Sequence, residues 1–263
     1  MRINFQFVAR GLIAVLALLA LGLVALARAL PRMFPGPPGG PTPPAPAIAA
    51  PTAALPAGPL AFEEWAQYAG EPPTLSGSGF IFSLPDGGAV AATTAHSLTI
   101  GNPARMLDRV AFGVAGDEGY LAEFDTLRGD PGSRFWYGAD ATVDYVLLDV
   151  ASDVPEASIL TPDARGGPQP GERVVLFSGR GAGRFDGTVQ ASGDRAAWAV
   201  MDTLFDAGLM SGSPFVSAHT GRVVGMAIAR AIRGDRLYIL MHPIGSLVEK
   251  ALNSDEYIKL SDY

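Results

Sequence analysis

Beyond residue 60 the chain never keeps an apolar rhythm for more than a few residues, and that brevity constrains its fold most. Short apolar or alternating runs recur between Gly, Pro and Asp turns: Gly79–Leu84, Ala89–Thr94, Val110–Val114, Val143–Val150, Arg173–Phe177, Thr188–Ala191, Ala196–Val200, Arg222–Ile228 and Leu237–Met241. Nine such runs with no long helical period between them predict an all-β sandwich or barrel, because an α/β sheet needs crossover helices. Two helical stretches are expected. Phe62-Glu63-Glu64-Trp65 reads as a short helix with Glu63 and Glu64 on its solvated face. Pro243 to Leu252 has helical spacing in Ile244, Leu247, Val248 and Ala251. No internal repeat is visible.

The first 60 residues have a different texture. Between Arg10 and Arg28 lie 17 residues without a polar side chain, at the lower limit of what spans a bilayer's hydrocarbon core. Two readings stay open for residues 1–30: a membrane anchor, or a signal peptide cleaved near Ala25-Leu26-Ala27. Either one places the rest of the chain outside the cytoplasm. From Pro31 to Pro59, 11 of 29 residues are proline, which removes amide donors without offering an apolar period, so residues 31–60 read as a disordered linker. Residues 61–263 are then the folded domain.

Composition removes several kinds of chemistry. The chain has no cysteine, which excludes disulfide scaffolds, cysteine-ligated metals and thiol nucleophiles, and its three histidines make a His-rich metal site improbable. Residues 1–60 carry four of the 19 Lys and Arg and none of the 26 Asp and Glu, leaving net −11 in 61–263. Such a body repels a phosphate backbone, so nucleic acid is not an expected partner.

Three segments could carry a reaction. In Gly208-Leu209-Met210-Ser211-Gly212-Ser213-Pro214, a serine sits on a tight turn where backbone amides can face a developing oxyanion. In Ala91-Ala92-Thr93-Thr94-Ala95-His96-Ser97, a histidine follows the end of a strand, on rigid scaffold yet free to turn its ring. In Thr142-Val143-Asp144-Tyr145-Val146-Leu147-Leu148, a carboxylate heads an apolar strand, which is awkward unless it is held, for instance by an imidazole. Each has a plain alternative: a Gly/Ser/Pro loop, a structural histidine, a turn aspartate.

Together with Gly77-Ser78-Gly79-Phe80-Ile81 and Gly221-Arg222-Val223-Val224-Gly225-Met226, these pieces make residues 74–252 resemble the trypsin-like serine peptidases of chymotrypsin fold, in their disulfide-free bacterial branches. The order His, Asp, Ser is that family's order. The resemblance implies two six-stranded antiparallel β-barrels followed by a C-terminal helix, behind an N-terminal hydrophobic helix and a Pro-rich linker. It implies His96 as general base, Asp144 as its orienting partner and Ser211 as nucleophile, with Asp140 the fallback carboxylate. The backbone amides of Leu209 and Ser211 would form the oxyanion hole. Phe205, Ala227 and Ile228 would give a small or apolar primary pocket, with Arg230 at its rim able to draw an acidic group. No metal or organic cofactor is implied, and the partner is a protein or peptide substrate, with a membrane through residues 11–27 if these are retained.

Two departures stand out. The family usually has glycine where this chain has Leu209, and its secreted zymogens have aspartate where this chain has Met210. Met210 cannot pair with a newly cut amine, so no proteolytic activation is expected. The alternative function is a silent peptidase-like domain that binds a protein or peptide in the cell envelope. Other motifs fit less well. Positions 209 and 213 break the Gly-x-Ser-x-Gly of an α/β-hydrolase. The Gly179–Gly183 stretch lacks the helix a phosphate cradle needs. His219 and His242 read as loop and strand-end residues.

Overall fold

A computed structural model describes residues 53–102, 104–135, 140–151, 153–181 and 183–263. The apolar run 11–27 and the linker up to residue 52 lie outside the described residues, and among the described ones no helix is long and apolar enough to cross a membrane.

Fifteen strands and one helix follow one another among the described residues. The first group is β1 (Phe62–Tyr68), β2 (Thr74–Ser83), β3 (Ala89–Thr93), β4 (Leu107–Gly113), β5 (Ala122–Phe124), β6 (Thr126–Arg128), β7 (Val146–Asp149) and β8 (Ile159–Leu160). The second is β9 (Arg173–Phe177), β10 (Arg184–Gly193), β11 (Ala196–Met201), β12 (Pro214–Ser217), β13 (Val223–Arg233) and β14 (Arg236–Pro243). Helix α1 (Ile244–Leu252) and β15 (Tyr257–Lys259) complete the chain. Helix α1 buries Ile244, Leu247 and Ala251, three of the residues whose spacing predicted it.

The second group closes into a six-stranded barrel in the order β10-β11-β14-β13-β12-β9. The first group does not close in the expected way. It is an open hydrogen-bonded path, β15-β6-β7-β3-β2-β1-β4-β5, with β8 laid parallel against β2. The reason is a break at Asp125. Strands β5 and β6 are separated by that residue alone, yet β5 pairs with β4 and β6 pairs with β7, at opposite ends of the path. The covalent chain, and not a ladder, joins the two edges. The expectation of two closed six-stranded barrels therefore holds for the second half only.

Strand β1 corrects a second expectation. Residues 62–65 are not helical; Phe62, Glu64, Ala66 and Tyr68 alternate inward along an extended segment between β2 and β4. The pairing with β2 and β4 makes period two govern here, and the alternation is hidden in the sequence because one inward position is a carboxyl. Residues 53–60 also depart from a free linker. Leu60 is 2% exposed, Leu55 packs against the core, and the Ala54 carbonyl crosses directly over Gly221.

Three apolar clusters hold the body. One belongs to the first sheet, around Phe62, Ile81, Phe112 and Leu148, and one to the second, around Leu176, Phe215, Val224 and Met241. The third joins the two: Phe80, Phe82 and Leu147 of the first sheet pack with Val216, Val223 and Leu240 of the second.

Candidate active site

His96 stands three residues beyond β3, on a turn where Thr94 and Ser97 bond across, the Ser97 hydroxyl also donating to the Thr94 carbonyl at 2.8 Å. Asp144 ends a single 3-10 turn over Ala141–Val143 just before β7. Ser211 precedes β12 in the second half, on a turn closed by Ser213 N–H to Met210 O at 3.0 Å. Gly212 next to it has φ +91°, and a β-carbon there would lie 1.8 Å from the Ser78 carbonyl oxygen, so the turn sits against β2 in a form only glycine allows.

The structure brings the three side chains into one line. His96 Nδ1 lies 2.7 Å from Asp144 Oδ2, and His96 Nε2 lies 2.8 Å from Ser211 Oγ. Asp144 is fully buried and accepts two further bonds, from the His96 amide at 3.1 Å and the Phe135 amide at 2.9 Å. Those donors leave Nδ1 to carry its proton toward Asp144 and Nε2 free to accept from the serine. Asp140, the fallback, is elsewhere engaged: it caps the 3-10 turn through the Thr142 amide and hydroxyl at 3.0 and 2.5 Å. Burial alone would raise its carboxyl, but the Thr142 bonds outweigh that and hold it below the usual range.

Leu209 carries φ +62°, the only positive φ of a non-glycine residue among those described. A leucine in the left-handed region costs roughly 1–2 kcal/mol. Its carbonyl accepts the Ser78 hydroxyl at 2.7 Å, which fixes the peptide from the far side. Among the described residues, the Leu209 and Ser211 amides donate to no other protein group. Beside them is a cavity of about 250 Å³ lined by Gly208, Leu209, Ala227, Ile228, Arg230 and Ile239 among others. Three of the residues expected there, Ala227, Ile228 and Arg230, line it. Phe205 does not; its ring stacks on Phe185 at 3.8 Å between centroids, against the second sheet's cluster. Arg230 and Arg180 both approach Asp206, at 3.3 and 3.4 Å. The Gly208 amide, then Arg230, hold the Asp206 carboxyl below its ordinary value.

Two residues near this line were not legible as such. His242 is a strand-end residue as expected, at the end of β14, but it faces the site: it is fully buried, its Nδ1 is 3.5 Å from the Asp144 carbonyl, and burial pushes it down to about 4, so it is neutral. Glu64, read as solvated, is fully buried under the His96 turn, where desolvation pushes its carboxyl up to about 7. Acidic side chains next to each other suggested a surface; the partners that hold Glu64 lie 12 to 33 residues away. No group of His, Asp and Glu able to hold a metal ion occurs among the described residues.

No protein-family model matches the chain, and no curated protein sequence matches it. Solved structures do. Kallikrein-related peptidase 10 is 16% identical, covers 77% of this chain and 99% of its own, and superposes with a TM-score of 0.53. A thermostable serine protease, AL20, from an extremophilic microorganism is 13% identical over 74% of this chain and 95% of its own, with a TM-score of 0.50. The inactive form of the Rv3671c protease is 20% identical over 75% and 90%, with a TM-score of 0.47. From the closed barrel, the sheet beside it and the likeness to the first two, this chain has the chymotrypsin fold of the trypsin-like serine proteases, in a form without cysteine.

Proposed function

We propose that this protein is a serine endopeptidase that cleaves protein or peptide substrates through an acyl-enzyme. One observation supports this most: an unbroken hydrogen-bonded path from Asp144 through His96 to Ser211, at 2.7 and 2.8 Å, with its base on one sheet's turn and its nucleophile on the other's. In this reading His96 Nε2 takes the Ser211 proton as Oγ adds to the scissile carbonyl. Asp144 holds the imidazole in the right tautomer and stabilises the imidazolium that forms. The developing oxyanion is met by the Leu209 and Ser211 amides, and the imidazolium then gives its proton to the leaving amine. Water, activated by the same base, releases the acid. The cavity beside Ala227 and Ile228 takes a small or apolar side chain, since no carboxylate lines it.

The left-handed Leu209 favours one second reading, a silent domain that holds a peptide without cutting it. A fluorophosphonate probe separates the two. The full chain should be labelled, Ser211→Ala should not, and His96→Ala should label slower by about 10²–10⁴-fold. Labelling that survives Ser211→Ala removes the nucleophile; no labelling of the wild type leaves the binding domain. A peptide library cut mainly after Lys or Arg would remove the apolar-pocket reading. The apolar run 11–27 supports a location for this body outside the cytoplasm, either tethered or released.

A further inference from the structure

The carboxyl of Glu64 meets three hydroxyls. Ser76 Oγ is 2.5 Å from Oε1, while Thr93 Oγ1 and Ser97 Oγ both reach Oε2, the latter at 3.2 Å. Thr93 ends β3 and Ser97 directly follows His96, so the carboxyl grips the histidine's turn at both ends.

Each hydroxyl has a second acceptor in reach. Ser76 can turn to the Glu64 carbonyl at 3.2 Å, Thr93 to the Ser78 carbonyl at 2.8 Å, and Ser97 to the Thr94 carbonyl at 2.8 Å. A hydroxyl has a single hydrogen, so it can serve only one of its two acceptors at a time. When Glu64 is ionised, all three hydrogens point at the carboxylate. When it is protonated, its O–H donates to one hydroxyl oxygen, and that hydroxyl's own hydrogen swings to its backbone carbonyl. In both arrangements each hydroxyl hydrogen has an acceptor, and the two differ by one proton.

Resting on the assignment of His96 as base, we propose that Glu64 is a positioning residue for it, a buried proton-holding clamp whose carboxylate supports the imidazolium formed in the transition state. Few other charges face it. β2 offers only Ser76 and Ser78, and β4 places Phe112 opposite, with Arg109 paired to Gln67 at the other end of the strand and Asp108 beyond it. The His96 turn offers His96 itself, whose charge favours the carboxylate, with Asp144 on that ring's far side. The carboxyl, pushed up to about 7, passes from one arrangement to the other near neutrality.

The test uses the full chain and the fluorophosphonate labelling rate from about pH 5.5 to pH 9, spanning the Glu64 titration. Glu64→Gln keeps the volume and is neutral at every pH, its amide standing in for the protonated carboxyl. It should match the wild type at the acid end and fall behind by about three- to tenfold at the alkaline end. A merely structural Glu64 would give a constant ratio across the range, and that outcome, like equal rates throughout, overturns the proposal. A second readout needs no activity. In the infrared difference between wild type and Glu64→Gln, the carbonyl stretch of a protonated carboxyl should be present at the acid end and lost at the alkaline end. A band missing at the acid end, or persisting at the alkaline end, overturns the clamp. Ser211→Ala labelling reports separately on the nucleophile, so failure of the peptidase reading and failure of the clamp are distinguishable.

Discussion

Leu209 shows how a single residue can sit where its side chain is unwelcome. A glycine would reach φ +62° freely; leucine is held there by the Ser78 hydroxyl on its carbonyl. Ser78 is itself fully buried, and its amide donates to the Ser211 carbonyl at 2.9 Å, so one residue of β2 ties down both ends of the turn Leu209–Ser211. Ser78→Ala should therefore cost about 1 kcal/mol of stability, the usual worth of a hydrogen bond. It should slow labelling as the Leu209 peptide relaxes, and adding Leu209→Gly should restore part of that rate, because glycine holds the same φ without help. If the double variant is slower than Ser78→Ala alone, the hydroxyl is not what keeps Leu209 in place.

Between the strands, the connection from β8 to β9 is pinned by one guanidinium. Arg165 bonds Asp163 at 2.6 and 2.9 Å and Glu172 at 2.8 and 3.2 Å, both carboxylates being nearly inaccessible. Burial raises each of them, but the Arg165 bonds outweigh it and hold both below the ordinary range. A lowered folded value means stability present above the unfolded carboxylate range and lost as pH falls through the folded one. Arg165→Met leaves two buried charges unpaired, reversing the sign. Chemical unfolding should show a deficit of about 3–5 kcal/mol near pH 7 that shrinks as pH falls toward about 4 and the variant's unpaired carboxyls take up protons. A deficit independent of pH would mean that packing, and not charge, is what Arg165 supplies. None of this network is legible in the sequence, since Asp163, Arg165 and Glu172 look like ordinary turn charges until Ser217 and Thr220, 45 and 57 residues beyond their partners, are folded onto them. Nine of the fifteen strands are legible, because a half-buried strand writes its two faces into alternate residues; β5, β6, β8, β12 and β15, of two to four residues each, are too short to show a period. Strand β1 escaped because its inward set includes Glu64. The three residues of the hydrogen-bonded line could be picked out because each sits at a strand end with turn grammar around it. The open edge at Asp125 could not, since a ladder's end depends on register and not on local composition.

For the molecule as a whole, a fusion test addresses where the body resides. A reporter that works only in the cytoplasm, joined after Tyr263, should stay silent if residues 11–27 direct export, and a strong signal would place the body on the other side. The same chain direction gives the fold a mechanical side. Leu55 and Leu60 are seated in the cluster shared by the two sheets, and the Ala54 carbonyl lies across Gly221 beyond β12. A pull on the chain ahead of residue 53 therefore meets this seat before it reaches Phe62 and the strand that carries Glu64. The seat acts as a strain relief, keeping tension at the amino-terminal end away from the His96 turn.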